Sequence, residues 1–158
     1  MFERILVPLD GSKVGEAALP VVEQLVNKLA PKTQVEVMLF GVITLLRHWV
    51  VVGEASAPVS YTDEELTIIK DRVLGYLEKT GEAMKKRGVI IKTMVAAGSA
   101  GDEILKAADE IKADLIAMST HGRSGLRRLA FGSITDKVIR GSKMPVLLVR
   151  APEGTVNE

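Results

Sequence analysis

Two rhythms of apolar residues run along this chain. Ile5-Leu6-Val7 is a short β-prone run that closes in Pro8-Leu9-Asp10-Gly11-Ser12. Such a run suits a strand covered on both faces, and a Pro/Asp/Gly/Ser cluster ends it. Ala18, Val21, Val22, Leu25 and Leu29 then recur at helical spacing. Ser12 is placed to cap that helix, and Pro20 should kink it or sit in its first turns. Gln34 to Ile43 reads as a second strand, with Val35, Val37 and Leu39 on one face and Met38 and Phe40 on the other. Thr44 to Tyr61 reads as a long connection carrying Gly53, Ala55, Ser56, Ala57 and Pro58. Trp49 and Val50-Val51-Val52 are unusually apolar for such a segment, and connections of this length are usually lids or disordered.

Thr62-x-x-Glu65 has the form of a capping box. It opens a long helix striped by Leu66, Ile69, Val73, Leu77 and Met84 and ending near Gly88. Val89 to Val95 is a third strand. Ser99-x-x-Asp102 starts another helix, with Ile104, Ala108 and Ile111 on its buried face, and Leu115 to Met118 is a fourth strand. A Gly/Ser/Arg segment spans Ser119 to Gly132. Ser133 then opens a short helix whose Lys137, Arg140 and Lys143 lie toward the end that favours cations. Val146 to Val149, after Pro145, is the last strand, and 151–158 reads as a flexible tail. Strands alternating with helices predict one α/β domain over 1–150. The expected form is a doubly wound, Rossmann-like, five-stranded parallel sheet with helices on both faces and strand order 3-2-1-4-5.

Composition narrows the function classes. At 158 residues the chain fits one domain, and 47% hydrophobic residues are enough for a core. With 21 basic and 20 acidic side chains, nothing draws it toward nucleic acid or an anionic membrane. It has no cysteine, which removes disulfides and thiol nucleophiles, and two histidines, His48 and His121, too few for a histidine-rich metal centre. The longest apolar stretch, Met38 to Leu46, is far short of a membrane span of about 20 residues. No signal core precedes the first strand, so a cytoplasmic protein is expected.

In an open parallel sheet, ligands sit beyond the carboxyl ends of the strands where the winding reverses. The loops after the first and fourth strands should face one crevice there. The second of these has the parts of a phosphate site. Gly122, Gly125 and Gly132 allow close backbone approach, a helix begins at Ser133, and Arg123, Arg127 and Arg128 add charge. Glycine-rich loops also occur without a ligand, and three arginines also make a solvated face, so spacing alone leaves both readings open. Neither G-x-x-x-x-G-K-[ST] nor a G-x-G-x-x-G after the first strand is present.

Ser119-Thr120-His121-Gly122, then nine residues, then Gly132-Ser133, resembles the nucleotide loop of the universal stress proteins. ATP-binding members of that family carry G-x2-G-x9-G-[ST]. The opening Ile5-Leu6-Val7-Pro8-Leu9-Asp10-Gly11-Ser12, Met118 before the loop, and the close Lys143-Met144-Pro145-Val146-Leu147-Leu148-Val149 are similar too. One position departs: Ser119 stands where the pattern has its first glycine. The resemblance implies that Pro8, Leu9 and Asp10 line the adenine and ribose end, with Asp10 the polar contact. It implies that Val42 lies against the adenine and Met118 near the ribose or base. Gly122, Gly132 and Ser133 fall at the phosphates with the backbone of Ile134 nearby, Ser119 lies near the ribose or phosphates, and Gly125 lies between the matched glycines.

The resemblance therefore implies ATP binding (AMP or ADP being alternatives), with Mg or Mn held through the phosphates. The role would be regulatory, in the stress response, with little or no turnover. The alternative is a dimeric interaction module with an empty pocket. Asp10 also suits a turn cap, and Val42 and Met118 would be core residues in any sheet. Gly122-Arg123-Ser124-Gly125 is not the G-x-S-x-G elbow, so His121 and Ser124 do not make a nucleophilic pair, and no catalytic residue is expected. The resemblance also implies a homodimer through Val146, Leu147, Leu148 and Val149, an apolar strand at the sheet edge.

Overall fold

The computed structural model describes residues 2–29, 34–44, 48–52, 55–120 and 132–155. Its frame is a five-stranded sheet of β1 (Arg4–Pro8), β2 (Glu36–Ile43), β5 (Ile90–Ala97), β6 (Leu115–Thr120) and β7 (Val146–Arg150), all neighbours parallel. The spatial order is β5-β2-β1-β6-β7. Counting these five strands alone, that is the expected 3-2-1-4-5. The helices are α1 (Lys13–Glu16), α2 (Leu19–Leu29), α3 (Asp63–Lys86), α4 (Ala100–Glu110) and α5 (Ser133–Gly141).

Alternation along each strand sorts the core into two halves. Ile5 and Val7 of β1, with Val37 and Leu39 of β2 and Leu115 and Ala117 of β6, pack against Val22 and Val26 of α2 and Leu77 and Met84 of α3. Leu6, Met38, Phe40, Ile116 and Met118 point the other way, against Ile104 and Ala108 of α4 and Val138 of α5. Both faces of β1 are dry, as its all-apolar reading requires.

The single helix expected after Ser12 is two helices. Pro20 has no N–H to give the carbonyl of Glu16 four residues earlier, and its ring crowds that carbonyl. Accordingly α1 stops at Glu16, and Pro20 lies in the first turn of α2, where a missing donor costs nothing. The segment 44–61 is also not a plain connection. β3 (His48–Val52) and β4 (Ala55–Val59) pair antiparallel, Trp49 opposite Pro58 and Val51 opposite Ser56. The small residues and Pro58 hid this hairpin. In a two-stranded sheet every strand is an edge, so a proline is tolerated and the valine run decides.

The capping box on α3 is complete. Thr62 Oγ1 accepts from the N–H of Glu65 at 3.2 Å, and Glu65 Oε2 accepts from the N–H of Thr62 at 2.8 Å. At 24 residues α3 is about 36 Å long, whereas the eight residues of β5 span about 26 Å. The overhang explains the stripe. Leu77 and Met84 are buried, while Leu66 and Ile69 near the amino end are only half-buried. Gly81 lets α3 settle on the sheet, because a Cβ there would lie 2.8 Å from Ile91 Cγ2 and 3.0 Å from Leu39 Cδ1. Beyond β7, Ala151 is buried and its N–H donates to the Thr120 carbonyl, and a turn closes from Thr155 back to Pro152.

At the amino edge, Asp114 Oδ2 accepts from the N–H groups of Glu3 and Arg4 at 2.8 and 2.9 Å. These backbone donors, Glu3 foremost, hold its carboxyl below the usual range. A depressed carboxyl stabilises the fold above its unfolded value, near 3.9, and the gain disappears as pH falls through the folded value. Asp114→Asn should therefore lose about 1–2 kcal/mol at pH 7, read from urea midpoints. The gap to wild type should close as the pH falls below the carboxylate range. Equal midpoints at pH 7 would show that this pin carries no stability.

Candidate functional site

The carboxyl edge of the sheet splits between β1 and β6. β1 pairs with β2 over five residues, Arg4 to Pro8, but with β6 only through Ile5–Leu115 and Leu6–Ile116. Beyond those pairs, β6 runs on to Thr120 beside β7 alone. The winding reverses at this seam: the helices that follow β1 lie on one face of the sheet and α5, which follows β6, on the other.

One lip is the turn after β1. Leu9 is buried and its N–H donates to the Phe40 carbonyl at 2.8 Å. Asp10 is exposed, and its Oδ1 accepts from both the N–H of Ser12 at 2.9 Å and the Ser12 hydroxyl at 2.6 Å. Ser12 Oγ in turn accepts from the N–H of Gly15 at 3.0 Å and caps α1. Asp10 therefore serves as the turn cap that its chemistry also allowed. Gly15 makes this possible, since a Cβ there would stand 2.6 Å from Asp10 Oδ1. Pro8, half-buried, ends β1 opposite Phe40.

The other lip comes from β6 and α5. Met118 is buried among the α4 and α5 contacts, and Val42, at the end of β2, is half-buried against the same cluster. Ser119 lies on the opposite face, where its hydroxyl donates to the Gly15 carbonyl at 3.0 Å. Gly132 is the N-cap of α5 with φ −56° and ψ 156°, and as a glycine it brings no side chain to cap the helix. Among the described residues none is seen to accept from the first-turn N–H groups of Ser133, Ile134 and Thr135, and the positive end of the helix dipole lies behind them. Ser133 is exposed and Ile134 is 45% exposed. Lys137 Nζ bonds Asp102 Oδ2 at 2.6 Å and braces the start of α5 on that of α4.

The structure brings together at one edge Pro8, Leu9, Asp10, Val42, Met118, Ser119, Gly132, Ser133 and Ile134. Gly122 and Gly125, with His121 and the three arginines, lie outside the described residues. Sequence reading missed Gly15 and a bridge from α3 to α1. In that bridge Tyr76 Oη donates to Glu16 Oε1 at 3.1 Å, and Glu16 Oε2 pairs with Lys13 Nζ at 2.8 Å. Burial first, and the Glu16 charge next, push the Tyr76 phenol well above its usual range. No spacing rule links positions so far apart. Among the described residues no cluster of three or more His, Asp or Glu is placed to hold a metal, and no helix is long and apolar enough to cross a membrane.

A parallel sheet of order 3-2-1-4-5 with helices on both faces, opened at its winding reversal, defines a doubly wound α/β domain. The universal stress protein family profile matches residues 1–150, and the chain belongs to that family. The universal stress protein YxiE of Bacillus subtilis is 31% identical over 150 residues, which cover 95% of this chain and all of that one. The solved structure of MJ0577, from Methanocaldococcus jannaschii, superposes with a TM-score of 0.69 at 26% identity, over 98% of this chain and 99% of that one. Two more distant structures share the fold, each with a TM-score of 0.62. A universal stress protein in complex with cAMP is 22% identical, over 94% of this chain and 97% of that one. An Arabidopsis thaliana family member with AMP bound is 15% identical, over 96% and 93%.

The geometry at Gly132 makes it a clean probe. Its backbone angles suit any residue, and a Cβ would meet no described atom within 4 Å. Gly132→Val should fold normally and lose no more than about 1 kcal/mol, the cost of a poor N-cap. A thermal melt checks this, and a loss of several kcal/mol would mean that Gly132 is needed for the fold itself.

Proposed function

We propose that this chain binds an adenine nucleotide in the crevice between β1 and β6, as a regulatory protein with little turnover. The observation that carries the reading is the start of α5 at Gly132-Ser133, beside the seam where β1 and β6 part. The phosphates would accept from the N–H groups of Ser133 and Ile134 and from the Ser133 hydroxyl. The base would lie over the ends of β1 and β2, against Pro8, Leu9 and Val42, with Met118 supporting the floor. AMP and cAMP in the two distant neighbours favour an adenine ligand. ATP is the ligand we assign, with a divalent cation held mainly through its phosphates. Asp10 Oδ1 already accepts two hydrogen bonds from Ser12, so that oxygen is engaged in the turn.

Calorimetry with ATP and Mg²⁺ should give a one-to-one complex of micromolar affinity, about 8 kcal/mol. Gly132→Val should weaken it at least tenfold while keeping its fold. Phosphate release should stay below about one turnover per minute, far under ordinary enzyme rates. Absence of heat and of a thermal shift at millimolar ATP would favour the empty-pocket module. Robust turnover that Gly132→Val abolishes would replace the regulatory reading with an ATPase.

We also propose a homodimer through β7. The Pro145 carbonyl accepts from Ile116 and the N–H of Ala151 donates to Thr120, so the odd-numbered residues from 145 to 151 face β6. By alternation Val146, Leu148 and Arg150 turn their backbone groups to the open edge. No described strand pairs there, and a two-fold axis would set two such edges antiparallel. Light scattering should report twice the chain mass. Leu148→Pro removes one outward N–H without touching the bonds to β6, and should shift the protein toward monomer. A wild type that stays monomeric at high micromolar concentration would exclude this edge as the interface.

A further inference from the structure

Ser119 stands where the nucleotide-loop pattern has a glycine, and its hydroxyl is engaged. Alternation on β6 places it on the same face as Leu115 and Ala117, beneath α1, away from Met118. There its Oγ donates to the Gly15 carbonyl at 3.0 Å, across 104 positions of sequence. Gly15 lies near the end of a one-turn helix, where carbonyls lack intrahelical N–H partners. Ser119 supplies the donor that the helix cannot.

The chain of bonds continues. The N–H of Gly15 donates to Ser12 Oγ at 3.0 Å, the Ser12 hydroxyl donates to Asp10 Oδ1 at 2.6 Å, and the N–H of Ser12 donates there too at 2.9 Å. An unbroken path therefore runs from β6 to Asp10, and it spans the point where β1 and β6 no longer pair. A glycine at 119 has no hydroxyl and would leave the two lips tied only by packing.

We propose that Ser119 is a positioning residue: it latches the β1–α1 turn to β6 and so holds Asp10 ready at the lip of the crevice. This rests on the nucleotide reading for its consequence, which is tighter binding through a pre-organised lip. The latch itself stands independently of any ligand.

Three variants separate a latch from an obstruction. Ser119→Ala removes the hydroxyl, Ser119→Gly removes hydroxyl and Cβ, and Ser119→Thr keeps the hydroxyl on a residue suited to a strand. Two readouts are taken on each: ATP affinity by calorimetry, and amide hydrogen exchange at Ser12 and Gly15 in nucleotide-free protein. Exchange at Leu39 and Phe40 controls for global stability. Losing one neutral hydrogen bond should weaken ATP binding about 5-fold to 10-fold in both Ser119→Ala and Ser119→Gly. Exchange at Ser12 and Gly15 should rise by a similar factor, with Leu39 and Phe40 unchanged. Ser119→Thr should stay within about twofold of wild type. Tighter binding by Ser119→Gly would mean that the side chain obstructs the crevice, and would overturn the proposal. So would exchange at Ser12 and Gly15 that ignores the hydroxyl. If wild type binds no ATP, the exchange arm still decides. Acceleration then sustains the latch while the nucleotide reading falls, and unchanged exchange sinks the latch as well.

Discussion

The handedness of parallel crossovers is the constraint that creates the crevice. A strand, its helix and the next parallel strand wind right-handed almost without exception. Moving from β1 through β2 to β5 therefore stacks α1, α2 and α3 on one face of the sheet. Moving back through β6 to β7 stacks α4 and α5 on the other. β1 and β6 are neighbours, and the described helices that come after them in sequence lie on opposite faces of the sheet. Beyond Leu6 and Ile116 the two strands no longer pair, and the crevice opens there.

A seam with two ladder pairs would be the weak line of the sheet were it not tied at both ends. At the amino end the Asp114 carboxylate takes two backbone N–H groups from the start of β1. At the carboxyl end the Ser119 hydroxyl reaches the Gly15 carbonyl in α1. The first tie uses a charged acceptor, the stronger kind of hydrogen bond, and serves stability. The second is a neutral bond beside the opening, where a modest energy suffices to set one lip against the other. Tyr76 and Glu16 add a further brace from α3 to α1, so the short helix is held from two directions.

The alternation of strands with helices and the identity of most core residues were readable from periodicity, and the strand order was the one expected of a doubly wound sheet. The two faces of β2 follow from strict alternation of Val35, Val37 and Leu39 with Met38 and Phe40. The capping box at Thr62 is local chemistry within four residues, and it formed as written. The hairpin of β3 and β4 was not legible, because small residues and a proline score as loop until a pairing partner is known. The break between α1 and α2 was half legible: Pro20 forbids a bond to Glu16, but whether a helix kinks or stops depends on what packs around it.

For the site, the sequence by itself determined the residue types and their order: a Pro-Leu-Asp-Gly-Ser turn, a β6 terminus and a Gly-Ser helix start. These are properties of short windows and of strand-helix alternation. Only the tertiary structure decided how they are tied. Gly15 must be glycine because a carboxylate lies against it, and Ser119 bonds a carbonyl that is remote in sequence. A hydroxyl has no periodicity and no preferred partner at a distance. Its acceptor exists only once β6 has been inserted beside β1 and α1 has been laid across the seam.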